Sequence, residues 1–591
     1  MRLVRVCFVQ LTFIFATFSC SGSTAKFDNA IPNYNRIDEQ RLDSAIKQIL
    51  EMLPDSLSPE LKWVSLQYSS HDFEPEWVYP SSNYEKIDPL ISFLNKTNEH
   101  GILPEQFDLD NLIVLNQKLK QNNLSYAKLA LLEIKASNAY LRYCKSLNFG
   151  LFLPKEISPN YYFETLTIDS TFVRKCFNEK KTYFNRYLKQ IQPALPDYLQ
   201  LQSERKKYAC LADSAFAPIP ALPGKETIKK GSSHPIIPLI SRRLMITGEL
   251  PYNQKYLSYN QIFDNNLLKA INTFRTKTGQ YIDEEIGNNT IRALNYTFSD
   301  YVNKIDANLE RLRWKPAKPL GNKYIRVNVA DMTLKAFRHD TLALRMKVCV
   351  GKSPKNKTPF LRSNIYEVVL NPTWSIPNNI VVKEISKLAE KDTAYLRRNK
   401  IRVFRNGIEI QPRDINWSKI SKNYQPYTLV QDSGNINALG RIKFNFSNKF
   451  SVYLHDTNSK NAFNRHNRAI THGCIRVGKP LELSYFCLPK YDRKNKLKTE
   501  NRELLQDKIH HSIHLKVNSK KGKETLETWP ETMKLKRIGL SPSIPILIDY
   551  STCFTDKNGK MTFRDDLYEM DKYIINNLKN IKTITIQELS D

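Results

Sequence analysis

Nowhere in the 591 residues do two cysteines stand at CxxC spacing. The paired thiolates of a structural zinc site are therefore absent, and no metal or organic cofactor is expected. The nine cysteines are scattered, and a chain of this length is not a disulfide-built scaffold. In "LALRMKVCVG", period-2 alternation puts Leu344, Met346 and Val348 on one strand face and Cys349 on the other. Cys349 and most of the others read as structural thiols. After the first 25 residues no apolar run reaches the ~18 residues of a membrane-spanning helix. There is also no basic helix, zinc-finger spacing or interleaved aromatic motif, so nucleic acid is not an expected partner. Basic residues nevertheless exceed acidic ones by a formal +30, spread along the whole chain. Such a diffuse positive field suits a polyanionic surface such as a cell envelope, or simply a solvated exterior. The apolar fraction of 41% fits globular domains, and the length suits about three to five of them.

The first residues, "MRLVRVCFVQLTFIFATFSCSGSTAKF", have the form of an export signal. Arg2 and Arg5 form a charged start, and a short apolar core runs from Val6 to about Phe18. Small residues Ser23 and Ala25 position a cleavage after Ala25. Alternatively Cys20, after Thr17, Phe18 and Ser19, loosely matches a lipoprotein box and would carry a lipid anchor. A membrane is otherwise not an expected partner.

From about 35 to 215 the pattern is helical. "RLDSAIKQILEML" places Leu42, Ala45, Ile46, Ile49, Leu50 and Leu53 on one face. Residues 216–234 are rich in Pro, Gly, Ser and Lys and read as a linker. From 235 to 297 three short helices are expected. The second is capped by Asp264 or Asn265 and closed by Gly279, and the third starts at Asn288 or Asn289 after Gly287. Beyond "NLERLRW" the period changes to two. "YIRVNVADMTLKAF", "TLALRMKVCVGK" and "IYEVVLNPTW" read as strands, and "RIKFNFSNKFSVYLHD" reads as a hairpin turning at Ser447, Asn448 and Lys449. A charged, partly helical insertion spans about 382–432. Inside a sheet domain such an insertion suggests a lid over a site.

The chemistry concentrates in "THGCIRVGKP", 471–480. His455 ends a strand, on the face opposite Phe450, Val452 and Leu454, and Cys474 follows 19 residues later. A free thiol is mostly protonated at neutral pH, and a neighbouring imidazole can take its proton. Gly473 permits a tight turn in which adjacent N–H groups point at one oxygen. Arg476 adds positive charge for a thiolate or a substrate carboxylate. The same residues are compatible with a structural cysteine and a loop histidine.

The order "HD", then "THGCIRV", resembles the signature of L,D-transpeptidase catalytic domains of the YkuD type. It maps onto His455, Thr471, His472, Gly473, Cys474 and Arg476. "NLERLRW", "NPTWSIP", "GNINALGRIKF", "YLHDT" and "DDLYEMD" are similar to the larger YcbB-like periplasmic enzymes. Many of these lack a histidine at the position of His472. The 235–297 pattern resembles the type 1 peptidoglycan-binding domain, with Phe274-Arg275 in place of its usual aromatic-Gln pair.

The resemblance implies a multidomain α+β protein. Its parts are a mostly helical scaffold domain (35–215), a small three-helix peptidoglycan-binding-like domain (235–297) and a β-rich catalytic domain (322–500) with a capping insertion. A C-terminal segment (501–591) completes or packs on that domain. It also implies two acyl transfers on peptidoglycan stem peptides. Cys474 would be the nucleophile and His455 the general acid/base, with Gly473, His472 and Arg476 serving the oxyanion or substrate. D-Ala would leave a tetrapeptide stem, and an amine of a second stem would complete a 3→3 cross-link. Water in place of the amine would make the same site an L,D-carboxypeptidase. A non-catalytic wall binder is the third reading. Stem peptides, glycan and other cell-wall synthesis proteins are the implied partners, in the periplasm or cell envelope.

Overall fold

The computed structural model describes residues 28–580, except 35, 54–58, 79–86, 163, 213–215, 255, 257–260, 315–319, 489–534 and 557. The expected export signal, with Cys7 and Cys20, lies outside the described residues. Among the described residues no helix is long and apolar enough to cross a membrane. The chain divides into two compact units, the first taking its described residues from those up to Ser92 and from Asp108–Leu141.

In the first unit, the helix Glu39–Met52 starts at Asp38, whose side chain accepts the Arg41 N–H. It buries Leu42, Ala45, Ile46, Ile49 and Leu50, as the spacing predicts. The buried Glu133 carboxylate accepts the Tyr68 hydroxyl at 2.6 Å and the Trp77 and Val78 N–H groups at 2.9 Å. Such bonding is what makes a buried carboxylate tolerable.

The second unit takes Phe93–Phe107 and the described residues from Arg142 onward. Helices Ser170–Gln190 and Pro196–Leu211 belong to it, so the helical region expected as one domain over 35–215 is divided between the two units. The small module packs helices Ile237–Thr247, Asn265–Thr278 and Asn288–Leu294 around Ile240, Leu244, Leu267, Ile271 and Phe274. Asp264 caps the second helix through the Leu267 N–H at 2.9 Å. The cap of the third is Gly287, not an asparagine; Asn288 instead donates to and accepts from the backbone of Leu222. That bond corrects a second expectation. The stretch 216–234 is no free linker: β1 (Ile228–Lys229) pairs with β2 (Glu285–Ile286), and Ile219, Leu222 and Ile228 are buried in the module's core. Three apolar anchors outweigh the Pro-rich composition around them.

From Lys323 the backbone is mainly extended. The strands are β3 (Lys323–Asn328), β4 (Thr333–Arg338), β5 (Thr341–Gly351), β6 (Leu361–Leu370), β7 (Trp374–Ser375), β8 (Ile401–Arg405) and β9 (Ile408–Ile410). Then come β10 (Thr428–Gln431), β11 (Ile442–Phe446), β12 (Leu454–His455), β13 (Ala469–Thr471), β14 (Ile475–Val477) and β15 (Lys536–Asp549). Nine of them form one sheet, ordered β13-β5-β14-β12-β11-β6-β15-β3-β4, and β4 also pairs with β5, so the sheet closes on itself. Ile325, Val348, Ile365, Phe444, Ile475 and Ile546 are among its buried core residues. The C-terminal β15 lies between β6 and β3, so the last segment supplies an interior strand.

The insertion is a small layer of its own. β7, β10, β8 and β9 form a separate sheet in that order, over a core that includes Val381, Leu396, Val403, Trp417 and Leu429. It begins at Trp374, earlier than the expected 382. Asn437 closes its base: Nδ2 donates to the Pro372 and Asp432 carbonyls at 3.1 and 2.9 Å, and Oδ1 accepts the Leu439 N–H at 2.8 Å.

Candidate active site

The expected hairpin is shorter than its alternation suggests. Only Leu454 and His455 pair with β11, opposite Phe444 and Lys443. The reason is Asn448, whose Nδ2 donates to the Phe446 and Val452 carbonyls while Oδ1 accepts the Phe450 and Val452 N–H groups. These four bonds fold the arm into a loop. Ser451 there has φ 54, and its carbonyl accepts from the Cys474 Sγ at 3.7 Å. Tyr453, the next residue but one, bonds the thiol through both its backbone and its hydroxyl.

The chain bearing Cys474 is fixed from below. Thr471 Oγ1 donates to the Cys474 carbonyl at 2.6 Å and accepts the Gly473 N–H at 3.3 Å. Thr358 Oγ1 donates to the Gly473 carbonyl and accepts the Gly351 N–H, both at 2.9 Å. The Tyr568 hydroxyl accepts the Thr358 N–H at 3.1 Å and donates to the Gly351 carbonyl at 2.6 Å. Gly473 has φ +119, where side chains are disfavoured, although a Cβ would meet nothing nearer than 3.9 Å. Backbone conformation rather than crowding calls for glycine here. Because the Gly473 N–H is taken by Thr471, the N–H beside the thiol that has no partner among the described residues is that of Cys474. This corrects the expectation that both N–H groups are available.

His455 is buried beside this loop. Its strand β12 runs parallel to β14, with Leu454 opposite Ile475 and His455 opposite Arg476. Nδ1 bonds the Asp456 carbonyl at 2.5 Å. A carbonyl only accepts, so Nδ1 carries the proton and Nε2 keeps its lone pair. The His455 and Cys474 side chains share no hydrogen bond. Burial pushes the His455 pKa down to about 3, helped by the nearby Arg476 and Lys443 cations and opposed by the Asp456 carbonyl. Desolvation likewise pushes the Cys474 thiol up, against the Tyr453 hydrogen bonds and the charges of Lys443 and Arg476. The resting pair is therefore neutral thiol and neutral imidazole. Lys443 Nζ lies over the Tyr453 ring, 3.9 Å from its centroid.

The base of His455 depends on Gly440, with φ +62. A Cβ there would lie 2.5 Å from the Asp456 carboxyl group and 2.6 Å from the Thr457 nitrogen. Asp456 in turn accepts the Arg441 N–H at 2.9 Å and pairs with Lys460, and its own N–H donates to Ile442 at 2.8 Å. Arg476 is partly buried, with Nε lacking a partner among the described residues.

His472 points elsewhere. It is partly exposed, and Nε2 meets Glu384 Oε1 of the insertion at 2.6 Å. The structure thus groups Cys474, Gly473, His455 and Arg476 but commits His472 to the insertion rather than to the thiol. Tyr453, Lys443 and Glu384 were missed in the sequence. Tyr453 had a signal, since residues i and i+2 of a strand share a face and Tyr453 precedes His455 by two; the rings lie 5.6 Å apart, edge to face. Trp374, in the quoted "NPTWSIP", bonds the Tyr453 hydroxyl. Among the described residues no group of three His, Cys, Asp or Glu side chains could hold a metal ion.

Comparison with known proteins adds to this geometry. Residues 322–495 match the model of the YkuD L,D-transpeptidase catalytic domain, and 62–204 match that of the scaffold domain. A Haemophilus influenzae protein named "Putative L,D-transpeptidase" is 33% identical over 191 residues, 32% of this chain and 38% of that protein. The chain thus spans well under half the length of the curated relative it matches. Solved structures that align include the L,D-transpeptidase of Xylanimonas cellulosilytica, 10% identical, with a TM-score of 0.14 over 56% of this chain and 100% of that one. Another is the Ldtfm-avibactam carbamoyl enzyme, 11% identical, with a TM-score of 0.15 over 47% of this chain and 90% of that one.

Proposed function

From the premise that this chain carries a YkuD-type L,D-transpeptidase catalytic domain together with a scaffold domain, we propose that it is an exported cysteine acyltransferase that forms 3→3 peptidoglycan cross-links. The observation that carries this reading is a partly accessible thiol in the loop entering β14, next to the parallel strand β12, which bears a buried imidazole whose Nδ1–H is tied to a carbonyl. The donor is a tetrapeptide stem. Cys474 sulfur attacks the carbonyl joining its third residue to D-Ala while His455 Nε2 takes the thiol proton. The low basicity of His455 means that the proton leaves sulfur only as negative charge moves onto substrate, since a neighbouring anion raises an imidazole's pKa. The Cys474 N–H and the Tyr453 hydroxyl stabilise the oxyanion. Collapse breaks the C–N bond, and His455 returns its proton to the departing D-Ala amine. An amine of a second stem then attacks the thioester, losing its proton to His455 and releasing the thiol. Arg476 holds a substrate carboxylate, and the protein acts in the cell envelope.

The test is mass spectrometry of stem tetrapeptides after incubation with the enzyme. Dimers are expected; tripeptides alone would make it a hydrolase, and unchanged peptides a wall binder. Cys474→Ala should abolish turnover. His455→Ala should lower the acylation rate by roughly 10²–10⁴-fold, the usual loss with a general base. His472→Ser retaining most acylation would separate the two histidines.

A further inference from the structure

Lys443 of β11 stands directly opposite His455 of β12, and His455 stands directly opposite Arg476 of β14. Facing residues of neighbouring strands present their side chains on one face of the sheet. The imidazole is thus flanked by an ammonium ion on one side and a guanidinium on the other. Ile442 and Phe444, the chain neighbours of Lys443, are buried in the sheet's core. Alternation therefore turns Lys443 to the opposite face, with the catalytic pair.

The charge of Lys443 is unanswered. The residue is half-buried. Among the described residues its Nζ makes no hydrogen bond and no ion pair, and rests instead over the Tyr453 ring, 3.9 Å from the centroid. Glu367 is the carboxylate whose charge acts on it. That group is engaged elsewhere: Oε2 accepts from Asn445 Nδ2 at 2.7 Å and pairs with Arg537 at 3.1 Å. An ammonium ion against an aromatic face keeps N–H donors for an incoming anion.

The two cations beside His455 face different spaces. Arg476 borders a recess together with Asn458, Lys460 and Arg465, and neither Lys443 nor Cys474 lines it. Lys443 stands on the thiol's side. The ring beneath it belongs to the tyrosine that bonds the sulfur, and its charge lowers the thiol pKa more than that of Arg476 does. In the reaction proposed above, His455 hands its proton to the departing D-Ala amine. The carboxyl carbon of D-Ala lies two bonds from that nitrogen, so a cation directly beside His455 can meet it. An anion there has a second effect. Lys443 helps to depress the basicity of His455, and pairing its charge makes the imidazole a better base once the donor is bound.

We infer that Lys443 binds the carboxylate of the departing D-Ala and so selects donor stems that end at this residue; this rests on the function proposed above. The probe is a synthetic tetrapeptide stem whose D-Ala carboxylate is either free or converted to the amide. Binding to the full chain carrying Cys474→Ala is followed by isothermal titration, so that no turnover is needed. The free acid should bind roughly tenfold more tightly than the amide, the order expected of one charge-assisted hydrogen bond. Lys443→Met removes the charge at similar length. It should abolish the preference by weakening the acid and leaving the amide unchanged, which also shows that the site is intact. Lys443→Arg should keep most of the preference. In the Cys474-containing protein, Lys443→Met should raise KM for the free acid by a similar factor. Equal weakening of acid and amide would mean that Lys443 only props the Tyr453 ring, and overturns the inference. So does a failure of either peptide to bind, a parent chain that does not prefer the acid, or a preference that survives Lys443→Met and is lost in Arg476→Met. A preference that depends on Lys443, without turnover by the Cys474-containing protein, would fail only the catalytic proposal.

Discussion

Tyr453 hydrogen-bonds the Cys474 sulfur, which none of the signature residues does. Its hydroxyl and backbone hydrogen bonds favour the thiolate, while desolvation works the other way. Removing the hydroxyl leaves burial less opposed, so the thiol pKa of Tyr453→Phe should rise. The rising limb of acylation rate against pH should shift to higher pH, with the neutral-pH rate down roughly tenfold if the oxyanion also loses a donor. A limb that stays in place would mean that Tyr453 does not bond the reacting sulfur. Gly440 makes a second residue-scale case. Its left-handed φ and the 2.5 Å approach of Asp456 leave no room for a methyl group. Gly440→Ala should cost about 1–3 kcal/mol of stability in urea unfolding. Because Asp456 supplies the carbonyl that fixes Nδ1 of His455, acylation should also slow. Unchanged acylation would uncouple this turn from His455. "GNINALGR" was legible as a family stretch, but its use was not. A glycine's letter does not disclose which distant carboxyl group approaches it.

At the scale of elements, the insertion is held at its start by the bond between Trp374 and the Tyr453 hydroxyl, and at two further places. Its base is held by Asn437, and its first helical turn by Glu384 to His472, next but one to Cys474. The tie to His472 is partly exposed at both ends, so its net worth is small, about 0–1 kcal/mol. That is still enough to change the open population of a layer several-fold. Glu384→Gln should speed hydrogen exchange in 378–399 and alkylation of Cys474 by iodoacetamide by roughly two- to fivefold. It should raise KM for stem peptides more than it lowers kcat. Unchanged exchange and alkylation would show that the tie does not hold the insertion. The strands and the insertion itself were legible, because period-2 alternation and a charged interruption are local patterns. The partner of His472 was not, since 88 residues separate it from Glu384. The second hairpin arm was misread for a related reason: one asparagine makes four local bonds and overrides an alternation that fits a strand.

For the whole molecule, composition announced the polycationic character, and "THGCIRV" with the preceding "HD" announced the catalytic domain. Composition misled at 216–234, because a Pro- and Gly-rich average hides three apolar residues that bury in a neighbouring core. It also said nothing of the buried histidines, which contribute to the protein's response to acid. His100, bonded through Nδ1 to the Tyr198 hydroxyl at 2.9 Å, is pushed down to about 3, by burial first and then by Arg313 and Arg205. His455 is likewise pushed down to about 3, by burial first. In the unfolded chain both return to about 6.5. Between about pH 3 and 6.5 the unfolded state therefore binds protons that the folded state refuses, and stability rises with pH across that window. Above it neither state is protonated and the slope vanishes; below it both are, and the loss is complete. Each histidine contributes at most about 1.4 kcal/mol per pH unit. Asp43 acts in the opposite sense. Burial, then Glu39 and Glu74, raise its carboxyl to about 6, so its contribution is present in acid and is lost as pH rises through about 6. His466, lowered by burial, acts with these two histidines, whereas Asp306, Asp549 and Asp566, raised by burial, act with Asp43; the two fully buried histidines are expected to dominate between pH 5 and 7.5. Urea midpoints should fall from pH 7.5 to pH 5, and the double change His100→Gln with His455→Gln should flatten that fall. The single change Asp43→Asn, which stays neutral throughout, should steepen it. A double variant as steep as the original protein would place the acid sensitivity elsewhere.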